Sequence, residues 1–185
     1  VWVNMPGSCY GSISPLDKNA QTGETYFHDF PFFTPRDMVR SYQPLRKFLS
    51  IDKIKIGLGG SMGGQQLLEW SIEEPDLFQH IIPLATNAVH SAWARAFNAS
   101  QRMSIEADNT WKNKNKEAGI EGMKVARSIA LLSYRHYDTY HTLQQEIDNN
   151  KTEIFKSESY QKYQGEKLAK RFNAFSYYFL SKSMD

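Results

Sequence analysis

The sequence predicts an α/β chain: a parallel sheet assembled by strand–helix alternation, followed by a long helical segment. Three observations carry that prediction. Short apolar runs alternate with helix-periodic stretches as far as Leu84. Glycines flank a serine, Gly59-Gly60-Ser61-Met62-Gly63-Gly64, between one such run and the helix that follows it. From about Asn87 onward the pattern is helical and offers no further strand.

Val1-Trp2-Val3 reads as a short buried strand, and residues 4–33 as one long Gly-, Ser- and Pro-rich loop. A loop of that length is expected to be functional, or packed over a site by its own aromatics: Tyr10, Tyr26, Phe27, Phe30, Phe32 and Phe33. Thr34-Pro35-Arg36-Asp37 is a helix start, with a capping threonine, a proline at the first helical position and an acid three residues after the cap. Met38, Tyr42, Leu45 and Leu49 fall on one face of that helix, and Pro44 is expected to kink or split it.

Residues 54–59 read as the next strand, with Ile54, Ile56 and Leu58 as its apolar positions, and the helix after Ser61 should stop at Pro75. Residues 80–85 form the following strand, which places Ser61 at a strand's carboxyl end, where open α/β sheets bind ligands. Ala88, Ala92, Ala94, Ala96 and Phe97 open a helix expected to continue through Met103 and Ile105, and residues 109–119 read as a polar, lysine-rich solvated loop or lid hinge. Further helices are expected over 120–137, 139–148 and 160–184, with Gly165 the break in the last. The division read from this pattern is a core over 1–108 and a helical lid region over 109–185.

Composition excludes several classes. A net charge of +2 gives no argument for nucleic acid or an anionic membrane as partner. The single cysteine, Cys9, leaves no intrachain disulfide and fits a reducing compartment. No apolar run reaches membrane-spanning length and the first residues lack a signal-peptide pattern, so a soluble cytoplasmic protein is expected, with no metal site and no bound cofactor. The opening on Val1, inside an apolar run, suggests a piece of a longer protein.

The G-x-S-x-G pattern alone arises by chance in roughly one chain of this length in ten to twenty. Its flanks add the specificity, because a nucleophile elbow requires a strand before the serine and a helix after it. Ser61 is therefore the candidate nucleophile, and the backbone N–H of Met62 the candidate oxyanion donor. A serine also needs a base and an orienting acid. Asp108 with His136, or Asp138 with His141, has the right chain order, but both pairs lie in the helical region and not at strand ends.

Several further motifs occur in order along the chain. They are Gly7-Ser8-Cys9-Tyr10-Gly11-Ser12, Arg36-Asp37-Met38-Val39-Arg40, the serine motif with Leu68-Glu69-Trp70, Ala96-Phe97-Asn98, Gln101-Arg102, Tyr134-Arg135, Tyr163-Gln164-Gly165 and Arg171-Phe172-Asn173-Ala174. Together they closely resemble the homoserine O-acetyltransferases of the α/β-hydrolase superfamily. The resemblance implies a partial α/β-hydrolase parallel sheet with a helical lid. It also implies acetyl transfer from acetyl-CoA, as co-substrate, to the hydroxyl of L-homoserine through an acyl-serine on Ser61, within methionine biosynthesis.

By the same resemblance, Arg127 takes the homoserine carboxylate and Tyr134 belongs to the substrate pocket; seven positions apart, they share a helix face. The family's triad Asp and His, and the acid for the substrate amino group, are expected after Asp185. A second oxyanion loop is expected before Val1. Pro6 departs from the family pattern, and residues 1–185 alone are expected to be inactive. A homodimer through the lid is expected from its aromatic surplus, Phe172, Phe175, Tyr177, Tyr178 and Phe179. Open alternatives are a succinyl donor, a serine acceptor, an esterase using water, and a non-catalytic helical interaction protein.

Overall fold

The computed structural model describes residues 1–185. Helix α1 (Pro35–Phe48) starts as its sequence dictates: Thr34 caps Asp37, and the Asp37 carboxylate accepts the Thr34 N–H at 2.8 Å. The hydrogen bond from the Thr34 hydroxyl holds the Asp37 carboxyl below the usual range. Met38, Val39 and Tyr42 are buried, whereas Leu45 and Leu49 stay exposed. Pro44 does not split the helix. It lies on the solvent side, where water can satisfy the carbonyl that loses its partner.

Strand β1 (Ile54–Gly60), helix α2 (Met62–Glu73) and strand β2 (Phe78–Leu84) follow, and β1 pairs parallel to β2 from Ile54↔Phe78 to Gly60↔Leu84. The sheet has these two strands only. The expected strand at Val1-Trp2-Val3 is absent; Val1 and Trp2 are 90% and 94% exposed. An apolar run becomes a strand only by pairing, and these residues instead lie along an apolar groove shared with Ile54, Ile56 and Leu58 of β1. Ile56, Leu58, Ile82 and Leu84 also remain exposed, so the sheet presents apolar faces that a covered parallel sheet would bury.

Five helices complete the chain: α3 (Ala92–Glu106), α4 (Ile120–Tyr134), α5 (Tyr137–Gln144), α6 (Lys156–Ala169) and α7 (Ala174–Ser183). The helix expected over 120–137 ends three residues early, because Arg135 turns extended (φ −111°, ψ 139°) and the chain restarts as α5. The polar segment between α3 and α4 holds its lysines in solvent as expected, anchored by buried Trp111 and Ala118. Gly165 is not a break. It lies inside α6, where a Cβ would stand 2.9 Å from the Lys124 carbonyl oxygen, so glycine here permits close packing on α4. The real break is at Arg171–Asn173: Asn173 caps α7 by accepting the Ser176 N–H at 2.8 Å.

Two apolar clusters hold the molecule. One gathers Ile105, Met123, Ala126, Leu168 and Phe175 from α3, α4, α6 and α7, with Trp111 from the segment between α3 and α4. The other joins Phe30 and Phe33 of the long loop to Met38 and Tyr42 of α1 and Phe179 of α7. The lid aromatics expected to form an exposed surplus are consumed here, with Phe175 fully buried and Phe179 8% exposed. Phe172, Tyr177 and Tyr178 are partly buried against the first cluster.

Candidate active site

The turn from β1 into α2 puts Ser61 at φ 51° and ψ −123°, a conformation that costs a non-glycine residue about 1–3 kcal/mol and persists only where its surroundings fix it. Those surroundings are explicit. The Ser61 N–H donates to the Leu84 carbonyl at 2.9 Å, tying the elbow to the end of β2. The Ser61 carbonyl accepts from the Gly64 N–H at 2.9 Å and from the Thr86 hydroxyl at 2.7 Å. The side chain itself is exposed, so the hydroxyl stands clear of the packed interior.

The glycines around it divide into two kinds. A Cβ on Gly59 would stand 2.3 Å from the Gly63 carbonyl oxygen, and one on Gly64 would stand 2.5 Å from Thr86 Cγ2. Gly63 has open space, and Gly60 approaches only the Leu84 oxygen at 3.9 Å. The tight turn therefore needs Gly59 and Gly64, the second of which lies outside the G-x-S-x-G pattern.

Met62 is the first residue of α2, so its N–H belongs to the helix turn that has no intrahelical acceptors, and its side chain packs on the cluster of Phe30, Phe33 and Phe179. Beneath the elbow, the Tyr42 hydroxyl donates to Gln66 Oε1 at 2.7 Å, and burial pushes the phenol up to about 12. This joins α1 to α2 and keeps the helix from sliding under the serine.

Arg127 and Tyr134 come together as their spacing implies: the guanidinium carbon lies 5.9 Å from the tyrosine ring centroid. Both line a cavity of about 220 Å³ with Gln101, Arg171, Phe172 and Tyr177. Arg127 is half-buried and makes no side-chain hydrogen bond or ion pair, whereas Arg36, Arg40, Arg46 and Arg102 each meet a carboxylate. The Tyr177 hydroxyl is spent on Gln101 Oε1 at 2.6 Å. A half-buried, unpartnered guanidinium in a small, mainly apolar cavity is suited to a carboxylate.

Ser61 is not among the residues lining that cavity. The link is Leu180, which lines it and also packs on the aromatic cluster that holds Met62. Neither Asp–His pair serves the serine. Asp108 caps the start of α4, accepting from the Gly122 N–H at 2.9 Å and the Thr110 hydroxyl at 2.6 Å; burial opposes its ionisation, but these bonds outweigh it and lower its pKa. His136 instead faces Asp138 at 3.6 Å on the surface, and the His141 ring stacks on Tyr137. The sequence reading missed Thr86, whose only signal was its place just beyond a strand end, and it missed the cavity's second arginine, Arg171.

No family model matches the chain. The homoserine O-acetyltransferase of Cyclobacterium marinum is 46% identical over 185 residues, which is all of this chain and 52% of that protein. This chain is a homologue of the homoserine O-acetyltransferases. It spans about half the length of the curated relatives it matches. Among solved structures, a homoserine O-acetyltransferase from Bacillus anthracis superposes with a TM-score of 0.85 at 21% identity, over 94% of this chain and 49% of that one. Esterase E22 superposes at 0.83 with 21% identity, over 94% and 50%. At such identities these neighbours fix the fold, a partial α/β-hydrolase, which is common to the acetyltransferases and to esterases.

Proposed function

We propose that the full-length protein transfers an acetyl group from acetyl-CoA to the hydroxyl of L-homoserine, an acyl transfer in methionine biosynthesis, through an acyl-enzyme on Ser61. The observation that carries this reading is the presence in one chain of an exposed serine on a strained strand–helix turn and of an arginine without a hydrogen-bond or ion-pair partner in a cavity of amino-acid size, the two connected through Leu180 and the aromatic cluster that holds Met62. The homology to homoserine O-acetyltransferases supports it.

In this scheme Ser61 Oγ attacks the thioester carbon and gives its proton to a histidine contributed by the rest of the protein. The Met62 N–H holds the oxyanion, the C–S bond breaks, and coenzyme A leaves with the proton as a thiol. The homoserine hydroxyl, positioned by the hold of Arg127 on the carboxylate, gives its proton to the same histidine and attacks the acyl carbon; the bond from that carbon to Ser61 Oγ breaks and the histidine returns the proton to Ser61. Tyr134 packs against the guanidinium and keeps it turned into the cavity. Acetyl-CoA acts here as a co-substrate, with no resident cofactor.

An esterase on this fold has no need of a cation for its acceptor, and Arg127 favours transfer. Thiol release from acetyl-CoA by the full-length protein tests the reading. Release beyond one equivalent per enzyme should depend on added homoserine, and all release should vanish in Ser61→Ala; equal continuous release without homoserine would favour hydrolysis. Self-association belongs to the same proposal, through Val125 and Leu132 on one face of α4 and Leu143 of α5, which stay exposed. It predicts a dimer on sedimentation of the full-length protein, and a monomer at micromolar concentration would remove it. No helix is long and apolar enough to cross a membrane, which accords with the proposed cytoplasmic location.

A further inference from the structure

Two arginines, Arg127 and Arg171, are among the ten residues lining one cavity, and none of the ten is an aspartate or glutamate. A cavity with two cationic residues in its lining and no acid to neutralise them is suited to an anion that arrives from outside. Arg171 is also fixed in advance. Its Nη1 donates to the Tyr10 hydroxyl at 2.8 Å, and that hydroxyl donates back to the Arg171 carbonyl at 3.0 Å. The Tyr10 ring packs on Phe172, with centroids 5.9 Å apart.

The loop carrying Tyr10 is folded back on itself, with the Gly7 N–H on the Ile13 carbonyl at 2.7 Å and the Ser12 hydroxyl on the Asn4 carbonyl at 2.6 Å. A guanidinium has five donors, and a single bond to a neutral phenol leaves the others free. Holding a long side chain before the ligand arrives removes most of the rotamer entropy that binding would otherwise cost.

We propose that Arg171, clamped by Tyr10, is a second carboxylate-binding residue of the acceptor cavity, acting beside Arg127 to select an acceptor that carries a free carboxylate. This rests on reading the cavity as the homoserine pocket. The cavity's size favours the acceptor over the donor: about 220 Å³ accommodates a small amino acid and is too small for an adenine nucleotide. The long early loop thereby acquires a role, since it carries the clamp across 161 positions of sequence.

The test compares L-homoserine with L-homoserinamide, which lacks the carboxylate charge, as acceptors for the full-length protein and its Arg171→Gln and Tyr10→Phe variants. Arg171→Gln should raise KM for homoserine about tenfold or more, and change KM for homoserinamide and acetyl-CoA by less than about twofold. Tyr10→Phe should move KM for homoserine the same way by a smaller factor. Arg171→Lys, which keeps the charge but loses the planar fork, should fall between wild type and Arg171→Gln, and it substitutes if Arg171→Gln does not fold.

An equal rise for both acceptors, a rise confined to acetyl-CoA, or no change overturns the proposal. Failure of the underlying pocket reading looks different, because Arg127→Ala would then also leave KM for homoserine unchanged.

Discussion

Replacing Arg127 with alanine in the full-length protein should raise KM for homoserine by roughly a hundredfold, on the order of 3 kcal/mol, while kcat should change much less. The size follows from the setting: Arg127 is half-buried, lines a small cavity and has no hydrogen-bond or ion-pair partner within the chain, so its hydrogen-bonding capacity is free for the ligand. Loss of such a contact weakens ground state and transition state together, which appears in KM and spares kcat. Stability should move the other way or not at all. Arg127 makes no hydrogen bond or ion pair to lose, so the melting temperature of Arg127→Ala should equal or slightly exceed that of the parent. A fall in both stability and kcat with KM unchanged would mean that the arginine is a packing residue.

Gly59→Ala should destabilise the protein by about 3 kcal/mol or more and abolish acyl transfer, whereas Gly63→Ala should fold within about 0.5–1 kcal/mol of the parent. The added methyl at Gly59 meets a backbone oxygen at 2.3 Å, and no rotamer change can move it. Relief requires opening the elbow, which displaces Ser61 and its bonds to Leu84 and Thr86. At Gly63 the methyl enters open space and costs little beyond solvation and helix propensity. Gly64→Ala lies between these, because its neighbour is the Thr86 side chain, which can shift at the expense of its hydroxyl's bond to the Ser61 carbonyl. Chemical denaturation of the three variants orders them; equal destabilisation by Gly59→Ala and Gly63→Ala would contradict this view of the turn.

The parts of the site legible in the sequence are those set by local geometry. Strand, turn and helix around Ser61 occupy twenty residues of contiguous chain, and their periodicity and glycines are written side by side. Arg127 and Tyr134 were legible as a pair because one helix fixes the distance between them. Thr34 and Asp37 were legible for the same reason, as both halves of a cap lie within four residues.

What was not legible depends on partners distant in sequence. Val1-Trp2-Val3 carries the same apolar signal as β1, yet a strand is defined by a neighbour it lacks. Gly165 looks like a helix breaker until the backbone of α4 is placed against it. The lid aromatics look like an exposed surface until the early loop and α3 cover them. The clamp between Tyr10 and Arg171 has no local signature at all. The backbone bond that sets Ser61 against Leu84 spans β2 and is visible only once the two strands are in register.

The most direct measurement is the site of acetylation in a single turnover. Full-length protein is mixed with acetyl-CoA in the absence of homoserine, quenched in acid and digested, and the peptides are weighed. The account predicts a mass gain of one acetyl group on the peptide bearing Ser61, absent from Ser61→Ala and discharged when homoserine is added before the quench. An acetyl group that instead sits on Cys9, persists in Ser61→Ala, or stays in place when homoserine is supplied would contradict it.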